Sequence, residues 1–264
     1  DRSHYRIRSI NLKRGSVETI AGNGNKMFAG DGGPATGATL SFPHGITVDN
    51  KDNVIVSDKG NYRIRKISPD SIIQTIVGNG IRGNIGDGLP AKKASIYGAT
   101  SLKLNNKGEI FIISPSGFVS LIRKIDGKGI MRKFLDTVTP RYLESIAKSK
   151  YKGKVQTGEL ATITTFSDFA FDQKGNMFIS DRLNHQIRKV DPKGNVTTIA
   201  GTGESGYYGD GGPASEAAFR DPSALATDKE GNLYIADGAN NLIRKIDTKG
   251  IISTIAGNGK HDNS

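Results

Sequence analysis

The chain has 264 residues, of which 34 are glycine, and it carries a formal net charge of +11 with no cysteine. The absence of cysteine excludes disulfide bonds and thiol chemistry within the chain. No apolar run approaches the roughly 20 residues that a membrane-spanning helix needs, so no transmembrane segment is predicted.

The first residues predict only part of a repeating unit. Two short runs predict strands at 6–10 and 17–21, and a glycine-rich segment with the motif GDGGPA at Gly30–Ala35 follows them. The motif is similar to a phosphate-binding loop, but the Gly-Lys-Ser/Thr that should follow is missing. We therefore expect a linker in which glycine supplies turn dihedrals and Pro34 begins a short helical turn.

Four short runs after this linker predict the strands of one full unit. They are separated by Asp, Asn, Gly, Lys and Pro, which mark turns. The predicted strands are Gly45–Val48, Val54–Ser57, Arg63–Ile67 and Ile72–Val77. Connections of about two to five residues suit antiparallel neighbours and leave no room for crossover helices.

The same pattern returns along the rest of the chain. The segment 22–49 recurs closely at 201–228 and in a worn copy at 78–105. The predicted boundaries are a partial unit at 1–24 and full units at about 43–80, 99–136, 166–201 and 222–259. A four-stranded antiparallel sheet that recurs about every 56 residues, with no covering helix, predicts the blades of a β-propeller. No substantial helix is expected outside 35–42, 91–97, 139–149 and 214–220.

The units resemble NHL repeats. The pattern Pro-x-Gly, a strand ending in Asp, Gly-Asn-aromatic-Ile-Ala-Asp and Asn-x-x-Ile-Arg-Lys is matched from Pro43 to Lys66, from Asp168 to Lys189 and from Pro222 to Lys245. The resemblance implies an all-β, six-bladed propeller of the kind that binds proteins, peptides or RNA, while a few related propellers are enzymes. It also favours an extracellular or cell-surface location.

The predicted strands do not fill six blades. Asp1 aligns with Asp58, so the start of the chain supplies only the last two strands of a unit. About 4.5 units give roughly 18 strands, whereas six blades of four need about 24. We therefore expect one NHL propeller domain or fragment at 1–264, with its missing strands supplied by another chain or by a segment outside this sequence.

Much of the positive charge belongs to the repeat itself. Arg and Lys occupy equivalent strand positions as Arg8, Arg65 with Lys66, Arg123 with Lys124, Arg188 with Lys189 and Arg244 with Lys245. We interpret them as blade-edge residues, some of which pair with repeated Asp side chains. A basic surface that binds RNA or another acidic polymer is the alternative.

Asp58, Asp181 and Asp237 each end a strand and precede an Asn by three residues, a pattern typical of side chains that fix tight turns. The spacing of a calcium loop is absent, and the four histidines are scattered. The sequence therefore predicts no catalytic, metal-binding or cofactor-binding residue and no cofactor. A propeller enzyme, a lyase or hydrolase with a site in the central channel, is the second alternative.

The third unit departs from the repeat. An insert at 137–157 begins with Thr139 and Pro140, which predict a helix start, and continues with an apolar strip and several lysines. In an up-and-down blade, the loop after strand two and the linker between blades project from the same end, so this insert shares an end with both. Variable loops on a rigid scaffold are the expected recognition surface.

These considerations predict a non-enzymatic scaffold that binds a protein or peptide partner through the loops and linkers at one end of its blades. The candidate binding residues are Tyr62, Phe118, Arg141, Tyr142, Lys148, Lys150, Tyr151, Lys152, Arg182, His185, Tyr207 and Tyr208.

Overall fold

A computed structural model describes residues 1–116, 119–136 and 166–260. The strands are β1 (Ile7–Asn11), β2 (Ser16–Ala21), β3 (Pro43–Val48), β4 (Val54–Asp58), β5 (Arg63–Ile67), β6 (Ile73–Val77), β7 (Ser101–Leu104), β8 (Ile110–Ser116), β9 (Val119–Ile125), β10 (Met131–Asp136), β11 (Phe166–Phe171), β12 (Met177–Asp181), β13 (Gln186–Val190), β14 (Val196–Ala200), β15 (Pro222–Thr227), β16 (Leu233–Asp237), β17 (Leu242–Ile246) and β18 (Ile252–Ala256). The helical elements are 3₁₀ turns at Ala35–Gly37, Lys59–Asn61, Ala91–Lys93, Arg182–Asn184, Ala214–Glu216 and Gly238–Asn240. Within the described ranges, no helix has the length and apolar character needed to cross a membrane.

Consecutive strands are neighbours in every sheet. β1 and β2 form a two-stranded sheet, and the four-stranded sheets contain β3–β6, β7–β10, β11–β14 and β15–β18, each in sequence order. Antiparallel pairs such as Val48 with Val54 and Ile67 with Ile73 fix the register. The fold is therefore an all-β propeller type with four-stranded antiparallel blades, as predicted. In the described ranges, one partial and four full blades fall short of six complete ones.

The chain divides into two compact parts, each with more than one repeat, which we call unit 1 and unit 2. Of the described residues, unit 1 comprises 1–116 and 121–135, and unit 2 comprises 119–120, 136 and 166–260. In unit 1, β3 packs against β7, and in unit 2, β11 packs against β15. The first strands of successive blades thus contact each other within each unit, which is how propeller blades stack.

Each linker is anchored by small buried side chains. Ala35, Ala38 and Leu40 are fully buried, in one cluster with Ile67 and Ile73 of the following blade. The equivalent alanines of the linkers at 78–100 and 201–221 are also buried, namely Ala91, Ala94, Ala214 and Ala217. A side chain as small as alanine lets the linker lie close against the sheets at native packing density.

The helical turns in the linkers are shorter than predicted, with three residues of 3₁₀ helix in each of 35–42, 91–97 and 214–220. Ala38 has returned to the extended conformation, with ψ 158°. In that conformation its carbonyl accepts a hydrogen bond from the Asn23 amide at 2.9 Å, which ties the linker to the end of β2. The predicted helix at 139–149 lies outside the described residues.

A repeated close approach explains the glycine that follows the last strand of the partial unit and of three full units. Gly78 follows β6 at φ +91°, and a Cβ there would overlap the carbonyl oxygen of Tyr62. Tyr62 itself has a left-handed backbone, with φ 54°. The same overlap recurs where Gly22 meets Tyr5 and where Gly257 meets Asn241. Only glycine combines the positive φ with the close contact.

Substitution of Gly78 by alanine should therefore destabilise the protein more than the same change at Gly88. Gly88 has a similar φ of +86° but open space around its Cα, so Gly88→Ala tests the dihedral cost alone, at about 1 kcal/mol. Gly78→Ala adds a steric overlap and should cost at least about 2 kcal/mol more. Urea unfolding of both variants measures the difference. Equal losses of stability would contradict the close approach.

Candidate functional site

The loop between strands two and three of a blade lies against the preceding linker. In unit 1, the Asn61 side-chain amide donates a hydrogen bond to the Met27 carbonyl at 2.7 Å. In unit 2, the Asn240 side-chain amide donates to the Gly206 carbonyl at 2.9 Å. Loops and linkers thus share one end of the blades within each unit, as predicted. We call this end the loop face, which comprises 22–42, 59–62 and 78–100 in unit 1 and 182–185, 201–221 and 238–241 in unit 2.

A buried arginine on the third strand of a blade binds the linker that precedes that blade, in the linkers at 22–42, 78–100 and 201–221. Arg244 is fully buried and binds Asp210 of the linker, at 3.0 Å from Nε and 2.7 Å from a terminal nitrogen. It also donates to the Tyr208 and Ala218 carbonyls and contacts Asp237 at 3.4 Å. A planar guanidinium with five donors suits this convergence of acceptors.

Unit 1 contains the same arrangement twice. Arg65 binds Asp31 of its linker at 2.8 Å and Asp58 at 3.3 Å. Arg123 binds Asp87 at 3.0 Å and the Ser95 carbonyl at 2.8 Å. The Asp of the GDG sequence is therefore the counter-charge of a buried arginine, a role that its place in a glycine-rich turn did not indicate.

The interpretation of the repeated arginines as blade-edge residues is wrong for Arg65, Arg123 and Arg244, because all three side chains are fully buried. They lie on third strands, which are paired on both sides, and reach into the linker. The expected pairing with repeated Asp side chains is present. In contrast, Arg8 of the two-stranded sheet is exposed.

The linker Asp is ionised in this setting. Burial acts to raise the pKa of Asp210, but hydrogen bonds from Thr254 and Arg244 outweigh it and hold that pKa below its ordinary value. The repeated geometry of linker and strand three thus pairs these charges inside the blade.

A cavity of about 330 Å³ opens where the loop face of unit 1 meets the turn that carries Arg2. It is lined by the side chains of Arg2, Phe42, Lys59, Tyr62, Arg82 and Tyr97 and by Gly60 and Gly98. The Arg2 guanidinium lies 5.9 Å from the Phe42 ring centre, and the Arg82 guanidinium lies 5.2 Å from that of Tyr97. Among these described lining residues, three are cationic, three are aromatic and none carries a carboxylate.

The cavity is electropositive. Burial, and then the positive charge of Arg2, lowers the pKa of Lys59. Burial and the charges of Lys59 and Arg2 also lower the pKa of His44, which lies beside them on β3. Within residues 1–116, 119–136 and 166–260, Lys59 forms no ion pair. Its charge is opposed by neighbouring cations and by partial burial, so an anion would be bound favourably here.

The predicted residues of unit 2 contact three acidic residues of the linker at 201–221. Arg182 binds Asp221 at 2.8 Å, and His185 Nδ1 accepts a weak hydrogen bond from the Asp221 amide at 3.4 Å. The hydroxyl of Tyr207 donates to Asp210 at 3.2 Å, and that of Tyr208 donates to Glu204 at 3.2 Å. Both tyrosines remain about half exposed on the loop face.

Of the predicted binding residues, Tyr62 lines the cavity of unit 1, and Arg182, His185, Tyr207 and Tyr208 lie on the loop face of unit 2. The others lie outside the described residues, namely Phe118, Arg141, Tyr142, Lys148, Lys150, Tyr151 and Lys152.

The sequence analysis missed Arg2, Phe42, Lys59, Arg82 and Tyr97. A signal was present, because Arg2, Lys59 and Arg182 each directly follow the Asp that ends strand two. Each of these three cations could have been compared with the residue that precedes the first strand of the next blade. In the described part of the chain, no group of His, Asp and Glu side chains is arranged to hold a metal ion.

Comparison with protein families gives a match to the family described as Teneurin NHL domain, over residues 3–82 and 202–264. The chain belongs to this NHL-repeat family. The NHL match includes the partial unit, the first full blade and the last one, and leaves unmatched the irregular third unit and the blade of β11–β14.

Individual relatives agree with this assignment. The NHL chain is 29% identical over 94% of its length to the chloroplastic protein SUPPRESSOR OF QUENCHING 1 of Arabidopsis thaliana. It is 30% identical over 84% of its length to teneurin-3 of Danio rerio. The chain spans only 23% and 8% of the lengths of these two relatives.

Solved structures with similar folds are also propellers. An auxiliary nutrient binding protein of Bacteroides thetaiotaomicron has a TM-score of 0.60 at 14% identity, covering 97% of the NHL chain and 53% of that protein. A gluconolactonase of Xanthomonas campestris has a TM-score of 0.58 at 12% identity, covering 96% of the NHL chain and 69% of that protein. At such low identity the likeness shows the fold alone.

Replacement of Arg244 by lysine should destabilise the protein by about 2–4 kcal/mol, because lysine cannot reach Asp210, Asp237 and two carbonyls together. Arg182→Gln is the matched control in the same unit. Arg182 is 51% exposed, and a surface ion pair of this kind contributes at most about 1 kcal/mol. Chemical unfolding of the two variants checks the contrast, and a smaller loss for Arg244→Lys than for Arg182→Gln would contradict it.

Proposed function

We propose that this NHL domain is a non-enzymatic binding scaffold that recognises a protein or peptide partner through its loop face. The observation that carries the proposal is the cavity of unit 1, in which three cations and three aromatic rings surround a space of about 330 Å³. A volume of this size lies at the lower end of the range for ligand pockets, so it suits one or two side chains of a partner.

The composition of the cavity supports recognition of a polypeptide. Arginine and tyrosine are enriched in protein interfaces, where they combine apolar contact area with hydrogen bonding. Tyr62 and Tyr97 are half-buried, so their rings are held by packing while part of each surface remains accessible. A preorganised aromatic wall binds with little loss of side-chain entropy.

The contrast with the repeated charges also supports the proposal. Arg65, Arg123 and Arg244 bind linker Asp side chains inside the blades, so their charges serve the fold. In contrast, Arg2, Lys59 and Arg82 form no ion pair with any carboxylate in the described part of the chain. The insert at 137–157, with Lys148, Lys150 and Lys152, belongs to the proposed surface on sequence grounds alone.

The test is selection of random peptides displayed on phage against the immobilised chain, followed by hydrogen-exchange mapping of the enriched peptides. The expected result is enrichment above a blank support, with protection at 22–42, 59–62 and 78–100 in unit 1. Arg82→Glu should weaken the enriched peptides at least tenfold. Lys107→Glu, in the exposed turn between β7 and β8 at the other end of the blade, should not.

Three results would contradict the proposal. One is the absence of any enriched peptide, and another is protection confined to the turns at the other end of the blades. The third is binding of a single-stranded RNA homopolymer that excludes the peptides and weakens steeply with salt, which would favour an acidic-polymer function.

A further inference from the structure

Three repeats have a cation directly after the Asp that ends strand two, and this cation meets a different group in each of them. Arg182 pairs with the carboxylate of Asp221, which lies just before β15. Gly98, which precedes β7, follows Lys59 at the same distance along the chain as Asp221 follows Arg182. Arg2 lies over the ring of Phe42, just before β3, at 5.9 Å from its centre. Of these three cations, only Arg182 faces a carboxylate.

We infer that the cavity of unit 1 receives the carboxylate of an Asp or Glu side chain from a peptide partner, held against Lys59 as Asp221 is held against Arg182. The inference rests on the proposed function and names the chemistry of the partner. It is specific to unit 1, because the equivalent position in unit 2 is already occupied by the protein's own carboxylate.

The chain cannot supply this carboxylate itself at the equivalent position. A Cβ on Gly98 would lie 2.5 Å from both the carbonyl oxygen and the Cγ of Lys59. The carbonyl belongs to the backbone and cannot move as freely as a side chain, so any residue larger than glycine would displace the loop. Position 98 therefore carries no side chain that could pair with Lys59, and a carboxylate for this cation must come from another position or from a partner.

The surroundings favour a single carboxylate over a larger anion. Lys59 is half-buried, and the guanidinium groups of Arg2 and Arg82 border the same space of about 330 Å³. Phe42, Tyr62 and Tyr97 provide apolar surface for the methylene groups of an acidic side chain. A nucleic-acid strand needs a continuous basic track, whereas this charge is concentrated around one cavity.

The experiment uses the acetylated and amidated pentapeptide Ala-Ala-Glu-Ala-Ala as the probe, with Gln in place of Glu as its neutral counterpart. Amide chemical shifts of Gly60 and Gly98 are followed by NMR during titration of the probe to about 10 mM, a range that reports millimolar affinity. The Glu probe should shift both amides in a saturable way, and the Gln probe should bind at least tenfold more weakly.

Variants of Lys59 test the assigned partner. Lys59→Gln should weaken the Glu probe at least tenfold, and Lys59→Arg should restore binding because it retains the cation. Lys107→Gln changes the same charge in an exposed turn and should leave binding unchanged. Chemical unfolding of each variant establishes that the fold is retained.

Unit 2 provides the complementary gain of binding. Asp221 has φ 56°, a conformation that glycine tolerates, so Asp221→Gly should unpair Arg182 without strain. The Glu probe should then shift the amides of Arg182 and Leu183 in the variant and leave them unchanged in the parent. No shift in the variant would contradict the equivalence of the two positions.

The inference is overturned if the Glu and Gln probes bind equally, if Lys59→Gln binds the Glu probe like the parent, or if no shift occurs up to about 10 mM. It is also overturned if an oligouridine displaces the Glu probe from Gly60 and Gly98 at lower concentration. These results are distinguishable from failure of the proposed function. Selected peptides that bind the loop face without an acidic residue would leave the scaffold function standing and remove only the carboxylate.

Discussion

The buried arginine of the third strand is the interaction on which the architecture of each regular unit depends. Arg244 joins three parts of the chain, because it binds Asp210 of the linker, Asp237 at the end of strand two and the carbonyls of Tyr208 and Ala218. A buried guanidinium without such partners would be strongly destabilising. The linker must therefore approach the sheet closely, and its glycines and alanines make that approach possible.

This constraint determines which charges remain for recognition. Sequence repetition places cations at many equivalent positions, yet the buried arginines Arg65, Arg123 and Arg244 are neutralised inside the blades by Asp31, Asp87 and Asp210. The net charge alone is therefore a poor guide to the binding surface. Lys59 differs because the position opposite it is glycine, while the equivalent Arg182 faces Asp221. The functional candidate emerges from an exception within the repeat.

The sequence predicted the blades well because strand, turn and repeat signals agree at every level. The strand predicted at 63–67 is β5 itself, and the partial blade at the start of the chain was expected from the alignment of Asp1. The burial of Arg65 could not be predicted, since its partner Asp31 lies in a linker whose approach depends on tertiary packing. The cavity likewise joins Arg2, Lys59 and Arg82 from three separate segments, so no local motif marks it.

The account is tested most directly by the pKa of the Lys59 amine, measured by NMR after reductive ¹³C-methylation of the lysines, with Lys59→Arg to assign the signal. Burial and the charge of Arg2 should place the pKa of Lys59 below the ordinary value of a lysine. Addition of the Glu probe to saturation should raise the pKa of Lys59, since a carboxylate stabilises the charged amine. A pKa of Lys59 that is not lowered and is insensitive to the probe would contradict the claim that this cavity holds an uncompensated cation.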